Sequence, residues 1–181
     1  MVKMNFKKIL WCGLVILLLG LAGLCWMMIS FHRDYMAIPS DHLVGNRGSN
    51  VAALKEKGFP FSFLVIGDTQ ATENAETLIE MAMKTGEHTF MVILGDFVKK
   101  PDLWQHRFFL TEMMAEIRPS FPVFLVPGNH DIDYGGSRIK DPGRRVTREI
   151  YESLYGARDF DFVFNNCLFI ICGVDLTKKA D

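Results

Sequence analysis

The sequence lacks the short motifs by which several large enzyme classes are recognised. It contains no Gly-x-x-x-x-Gly-Lys loop and no Gly-x-Ser-x-Gly turn, so nucleoside-triphosphatase and serine-hydrolase functions have no support. None of its 4 cysteines forms a Cys-x-x-Cys pair, so a cysteine-based zinc site is not indicated. A formal net charge of −1 gives no electrostatic reason to expect nucleic-acid binding.

Charged residues are absent from Ile9 to Phe31, and most positions in this run are apolar. A helix that rises about 1.5 Å per residue crosses a hydrocarbon core of roughly 30 Å over this length. Residues 9–31 are therefore predicted to be a transmembrane signal anchor that contacts the lipid bilayer. A cleaved signal peptide is the alternative, although its apolar region usually spans only about 7–15 residues. A lipid-attachment site at Cys25 is disfavoured by Leu24, which precedes it.

The charges on either side of this run predict its orientation. Lysines precede it and arginines follow it: Lys3, Lys7, Lys8, Arg33 and Arg47. The positive-inside rule favours a cytoplasmic N-terminus at residues 1–8 and a single-pass membrane protein with its domain on the extracytoplasmic side. Residues 32–58 contain a stretch rich in Ser, Gly, Asn and Asp, which predicts a linker or irregular lead-in. Residues 59–181 suit one domain.

Short apolar runs alternate with helical periodicity after Phe59. The runs at 61–66, 90–94 and 122–126 are bounded by Gly or Pro, which is typical of buried strands. Between them, apolar residues recur at helical spacing, with Thr72 or Asn74 and then Asp102 near the helix starts. This alternation predicts parallel βαβ units, whose strands end at one edge of the sheet. Residues 147–155 predict a further helix, and 160–164 with 167–174 predict a hairpin.

Three polar clusters follow the three predicted strands: Gly67-Asp68-Thr69-Gln70, Gly95-Asp96-Phe97 and Gly128-Asn129-His130-Asp131. Glycine before the acid or amide allows the backbone to turn sharply out of the sheet. Carboxylates gathered at one edge repel each other unless a cation neutralises them, and hard oxygen donors suit Mg, Mn, Fe or Zn ions. The clusters therefore predict a metal site at the carboxyl edge of the sheet.

These clusters resemble those of the calcineurin-like metallophosphoesterases, which carry Asp-x-His, Gly-Asp and Gly-Asn-His-(Asp/Glu) blocks in this order. The similarity covers roughly residues 60–175 and implies an α/β fold, a partial αββα sandwich preceded here by one transmembrane helix. It also implies two divalent metal ions (Mn, Fe, Zn or Mg) and a phosphate-ester substrate, a mono- or diester attacked by a metal-bound hydroxide.

The resemblance also implies a role for each matching residue. Asp68 would bind the first metal, Asp96 would bridge both metals and Asn129 would bind the second. His130 would contact the phosphate and help the leaving oxygen to depart. Asp131 has two open roles, which are to orient His130 or to cap a turn.

The sequence departs from the family pattern at three places. Gln70 replaces a metal-binding His, so it either ligates the first metal weakly or leaves the site. Lys99 stands where an acid is often found, three residues after Asp96. None of the 5 histidines follows His130, whereas the family supplies further ligands from later His blocks. The metals are therefore expected to be held weakly, and the chain is expected to be an N-terminal portion with little or no turnover of its own.

Three functional hypotheses remain open from the sequence. The first is a membrane-tethered phosphoesterase, and the second is a non-catalytic, membrane-anchored domain of the same fold that binds a partner or a single ion. The third is an unrelated α/β domain. The basic stretch from Arg138 to Arg148 either helps to hold an anionic substrate or is a solvated surface. His106 is expected at the surface or at an interface.

Overall fold

The computed structural model describes residues 6–36, 43–54, 59–136 and 138–173, and the chain divides into two compact units. The first unit spans Met1–Ala37 and contains one helix, α1 (Phe6–Met36). Within α1, the 20 residues Trp11–Ser30 have a mean hydropathy of 2.5 and are 0% buried. By length and composition alone, this helix can cross a membrane. The N-terminal lysine Lys3 lies outside the described residues.

The second unit, Ile38–Asp181, is an α/β domain. Its elements are, in chain order, α2 (Gly48–Ala52), β1 (Leu64–Gly67), α3 (Glu73–Met83), β2 (Met91–Leu94), α4 (Leu103–Phe108), a π-helical turn (Phe109–Met113), α5 (Met114–Ile117), β3 (Val123–Val126), a 3-10 turn (Pro142–Arg144), α6 (Arg148–Tyr155), β4 (Phe160–Phe164) and β5 (Cys167–Ile171).

The first three strands form a parallel sheet in the order β1-β2-β3. Gly67 pairs with Leu94, and Leu94 pairs with Val126, so the strands end level with one another. The residues that follow each strand consequently begin at the same edge of the sheet. This parallel arrangement, with helices in the connections, confirms the predicted βαβ pattern.

Helices α3 and α4 begin at residues whose side chains accept backbone hydrogen bonds. The Thr72 hydroxyl accepts from Ala75 N at 3.3 Å, and the Asp102 carboxylate accepts from Trp104 N at 2.9 Å. Each bond satisfies an N–H group that the first turn of a helix leaves unpaired. Of the two start residues predicted for α3, Thr72 is therefore the cap.

The strands are shorter than the apolar runs that predicted them. β1 begins at Leu64 rather than at residue 61, and the phenylalanines that precede it pack in an aromatic cluster. Phe63 stacks on Phe90 at a centroid distance of 4.8 Å, and Phe61 contacts Phe164 edge-on at 5.1 Å. Aromatic pairs with these geometries gain attraction beyond their buried area. The predicted end of β5 at residue 174 lies outside the described residues.

The sheet lies between a helical layer and the antiparallel hairpin β4–β5. Alternate residues of β2 and β3 point to opposite faces, as extended strands require. Met91, Ile93, Val123 and Leu125 belong to the same buried cluster as Ile79, Phe109 and Tyr151 of the helical layer. Val92 and Phe124 pack instead with Phe162 and Phe164 of the hairpin. These layers form the predicted α/β fold, a partial sandwich.

The segment 43–54 is packed onto the sheet, which differs from the irregular linker that its composition indicates. Val44 is only 3% exposed and bridges to Val123 in parallel fashion. The Asn46 side chain accepts from Leu125 N at 2.8 Å and donates to Leu125 O. The segment thus takes the place of a neighbouring strand at the free edge of β3.

Candidate metal centre

The three strand-end oxygen ligands predicted from the sequence line one cavity. Asp68 follows β1, Asp96 follows β2 and Asn129 lies three residues beyond β3. They surround a space of about 330 Å³ together with Gly95, Gly128, Leu94, Val126 and Pro127. We name this space the acidic cavity. The level strand ends explain the convergence, because each loop leaves the sheet at the same edge.

The loops that carry these side chains hold strained backbone conformations. Asp68, Gln70 and Asp96 have φ values of 55°, 47° and 49°, in the left-handed region that residues with a side chain rarely occupy. Aspartate tolerates this region better than most side chains, whereas Gln70 costs on the order of 1–2 kcal/mol relative to ordinary backbone. Strained residues of this kind cluster at functional sites, where the surrounding structure maintains them. Their clustering here favours a functional role for these loops.

Two glycines allow the loops to approach each other. Gly95 has a φ of 71°, which a residue without Cβ adopts at little cost. A Cβ at Gly128 would collide with the carboxylate and backbone of Asp96. The close approach also brings His130 N to Asp96 Oδ1, to which it donates a hydrogen bond at 2.9 Å.

Asp131 lies beneath the acidic cavity and is 0% exposed. Its carboxylate accepts hydrogen bonds from Asp96 N at 2.8 Å, Val98 N at 3.1 Å and Gly128 N at 2.7 Å. Burial raises the pKa of Asp131 to about 7, and the three N–H donors oppose that rise. The carboxylate therefore ties the loop after β2 to the loop after β3. Of the two open roles, these contacts match the turn role.

His130 presents one defined nitrogen to solvent. Its Nδ1 lies 2.6 Å from the backbone carbonyl of Lys99. A carbonyl oxygen can only accept, so Nδ1 carries a proton and Nε2 is the nitrogen left for a ligand. The side chain of Lys99, which the sequence marks as a departure from the family pattern, is not needed for this contact.

His130 lines a second space of about 370 Å³ beside the acidic cavity, and we name this space the basic cavity. Its other lining residues are Gln70, Lys99, Lys100, Pro101 and Arg138. Arg138 Nη1 donates to the carbonyl of Asn129 at 2.6 Å, which joins the basic cavity to the loop of the acidic one. The spacing of apolar and polar residues in the sequence does not predict that Arg138 lies beside this loop.

Gln70 does not line the acidic cavity with the other predicted ligands. It lines the basic cavity, and its Nε2 donates to Asp68 Oδ1 at 3.0 Å. The amide therefore acts as a hydrogen-bond donor to a carboxylate of the acidic cavity. In this arrangement the nitrogen faces Asp68, whereas a metal ion requires the amide oxygen.

The donor set of the acidic cavity suits one hard divalent cation. Two carboxylates and one amide oxygen are the ligand types that Mg and Mn prefer. Across the described residues, no group of three or more His, Cys, Asp or Glu side chains is placed to hold a metal. Three protein oxygens are a partial ligand set, which waters or substrate oxygens complete in hydrated magnesium sites. The residues present thus fit a weakly held ion.

His106 is buried beneath the site, whereas the sequence led us to expect it at the surface or at an interface. It is 0% exposed, and its Nε2 donates to Asp131 O at 2.9 Å while Nδ1 accepts from the Tyr155 hydroxyl at 2.9 Å. Burial lowers its pKa to about 3. The signal in the sequence was its position between Leu103 and Leu110 on the apolar stripe of the helix.

Comparisons with known proteins agree with the fold. A model of the calcineurin-like phosphoesterase family matches residues 61–176, more than half of the chain. The DNA polymerase II small subunit of Methanothermobacter thermautotrophicus is 34% identical over 62 residues, which are 34% of this chain and 12% of that subunit. The match therefore covers a segment of a much longer protein. No solved structure matches the chain significantly.

Proposed function

The chain belongs to the calcineurin-like phosphoesterase family, and on that premise we propose that it hydrolyses a phosphate mono- or diester at the acidic cavity with a divalent metal ion. The observation that carries this proposal is the convergence of Asp68, Asp96 and Asn129 on one cavity. Three oxygen donors at the carboxyl edge of a parallel sheet supply the charge and ligand type that a divalent ion needs.

Each residue has a distinct part in this proposal. Asp68 and Asp96 hold the ion through their carboxylates, and Asn129 holds it through its amide oxygen. When bound, a divalent ion lowers the pKa of water and polarises phosphoryl oxygens. His130 keeps its proton on Nδ1 through Lys99 O, and its Nε2 gives a proton to the departing oxygen when the ring is charged. Asp131 positions Asp96 and Gly128 through their backbone N–H groups.

A non-catalytic ion-binding domain is the second candidate. It is favoured by the placement of Gln70, whose amide nitrogen faces Asp68 and adds no oxygen ligand. A site with three protein oxygens binds an ion weakly. Weak ion binding without turnover is the behaviour expected of a non-catalytic ion-binding domain. The formal net charge of −1 gives no electrostatic reason to expect that this chain binds nucleic acid.

Hydrolysis and ion binding together distinguish the two candidates. The full chain in uncharged detergent is incubated with Mn²⁺ and bis-(4-nitrophenyl) phosphate, and free Mn²⁺ is measured in parallel by electron paramagnetic resonance. We expect slow hydrolysis that depends on Mn²⁺ and falls on the order of 100-fold in Asp96→Asn. Asp141→Asn changes an exposed carboxylate that caps a turn and should leave the rate unchanged.

The outcomes separate clearly. Hydrolysis that persists in Asp96→Asn refutes the assignment of the acidic cavity as the reaction centre. Binding of Mn²⁺ by the wild type, abolished in Asp96→Asn and without any hydrolysis, supports the ion-binding domain instead.

The N-terminal helix is proposed to anchor the domain to a membrane. The support is the 20-residue span Trp11–Ser30, whose mean hydropathy of 2.5 fits a hydrocarbon core. The lysines before this span outnumber the arginines soon after it, which favours a cytoplasmic N-terminus and a domain on the extracytoplasmic side.

A further inference from the structure

We propose that the basic cavity binds a second phosphate group of the substrate, so that the preferred substrate is a phosphate ester with another phosphate attached next to the scissile one. This inference rests on the proposed function, because the scissile group is assigned to the acidic cavity. It specifies a substrate class, a diphosphate-type ester, that neither the fold nor the strand-end clusters define.

The charges that line the two cavities are opposite. Lys99, Lys100 and Arg138 line the basic cavity, and no carboxylate is among its lining residues. In the part of the chain that the structure describes, two further acids pair with other arginines: Asp102 with Arg144 at 2.7 Å, and Asp133 with Arg145 at 3.2 Å. The carboxylates of Asp68 and Asp96 line the acidic cavity, where the proposed metal ion would neutralise them. The positive charge of the basic cavity is thus available to an anion.

The cavities adjoin because the same three loops line both. The loop after β1 gives Asp68 to the acidic cavity and Gln70 to the basic one. In the loop after β2, Asp96 lines the acidic cavity and Lys99, three residues later, lines the basic one. In the loop after β3, Asn129 lines the acidic cavity and the next residue, His130, lines the basic one. One residue spans at most about 3.5 Å. The 3.0 Å hydrogen bond from Gln70 Nε2 to Asp68 Oδ1 joins the lining of one cavity to the lining of the other, so the two cavities are neighbours.

Arg138 and His130 distinguish this cavity from an ordinary solvated surface. Exposed lysines are common and usually have no ligand. Here, however, the Arg138 guanidinium is held by Asn129 O at 2.6 Å, and His130 Nδ1 is held by Lys99 O. The first contact fixes the Arg138 guanidinium, which keeps further N–H donors, and the second fixes the orientation of the His130 ring at the boundary between the cavities. A volume of about 370 Å³ lies within the range of small-ligand pockets.

The test measures anion binding without the metal. Inorganic phosphate is titrated into the full chain in uncharged detergent with excess chelator, by isothermal titration calorimetry. We expect the wild type to bind phosphate and Arg138→Ala to bind it about tenfold more weakly, since a charged hydrogen bond contributes about 1.5 kcal/mol or more. The double variant Lys99→Ala/Lys100→Ala should weaken phosphate binding similarly, because it removes two positive charges from the cavity. The backbone hydrogen bonds of both residues do not depend on their side chains and should remain.

Arg118→Ala is the matched control, because Arg118 is exposed, lines neither cavity and donates one side-chain hydrogen bond, to Ala115 O. Phosphate binding that is absent in the wild type, or unchanged in both Arg138→Ala and the lysine double variant, overturns the proposal. Equal weakening by Arg118→Ala also overturns it, because the effect is then one of general charge.

A second measurement separates this inference from the proposed function. With Mn²⁺ present, inorganic pyrophosphate should inhibit the aryl diester reaction about tenfold less well in Arg138→Ala than in the wild type. If the wild type binds phosphate in chelator yet shows no hydrolysis, the anion site stands and the proposed function fails. If hydrolysis occurs but phosphate does not bind in chelator, the basic cavity is not a phosphate site and the proposed function stands.

Discussion

Asn46 offers the sharpest test of how the structure is held together, because its side chain replaces a strand partner. It is 6% exposed, accepts from Leu125 N at 2.8 Å and donates to both Leu125 O and Ala157 O. Asn46→Ala removes all three bonds. Leu125 lies in the middle of β3, whose end carries Asn129 and His130.

The expected loss follows from the groups left unpaired. The Leu125 N–H has no other partner among the described residues, and an orphaned buried donor costs about 1–3 kcal/mol. The Leu125 carbonyl keeps a long contact with the Tyr151 hydroxyl at 3.5 Å, so its loss is smaller. We expect Asn46→Ala to lower the free energy of unfolding by about 2–4 kcal/mol, a large share of the roughly 5–15 kcal/mol of a typical domain.

Two other asparagines provide a graded comparison. Asn50 is 2% exposed and, among the described residues, makes one side-chain bond, to Gly45 O at 2.8 Å, so Asn50→Ala should cost about 1 kcal/mol. Asn74 is exposed on α3, and Asn74→Ala should change stability by less than about 0.5 kcal/mol. Urea unfolding is followed by Trp104 fluorescence in a chain that carries Trp11→Phe and Trp26→Phe. If Asn46→Ala is as stable as Asn74→Ala, the role of Asn46 as a strand partner is refuted.

Two further predictions concern a buried base and the N-terminal helix. The folded pKa of His106, about 3, lies below its ordinary 6.5, so the unfolded chain takes up a proton first as pH falls and stability is lost below pH 6.5. Between pH 6.5 and 5 the wild type should lose about 2 kcal/mol more than His106→Gln in urea unfolding, and equal losses contradict this. The anchored chain should resist extraction by alkaline carbonate, and a membrane-impermeant maleimide should label the exposed Cys172 in intact spheroplasts. Labelling only after lysis would reverse the orientation.

Much of the fold follows from local patterns. Apolar runs that end in Gly or Pro mark the three parallel strands, and side chains such as Thr72 and Thr147 mark helix starts through short-range hydrogen bonds. These signals act over a few residues, so a single sequence displays them. The convergence of Asp68, Asp96 and Asn129 then follows from parallel strands that end level with one another.

The supports of the site do not follow from local patterns, because they join residues that are distant in the chain. Asn46 pairs with Leu125 across 79 residues, and Asp131 binds Asp96 N across 35. From the sequence alone, Asn46 indicates only that its segment is a loop. The positive φ values of Asp68 and Asp96 are equally invisible, because they depend on how the loops are held together.

The departures from the family pattern have a common location in the structure. Gln70 and Lys99, which weaken the predicted metal site when considered separately, line the same basic cavity with His130. Replacing a metal-binding His and an acid removes ligands and negative charge from that side of the site. The same changes leave a cavity whose charged lining is positive, and a positive cavity beside two carboxylates is suited to an anion that extends past the metal. If the basic cavity binds a second phosphate as proposed, the altered residues reflect a change in what is bound and not only a loss of the site.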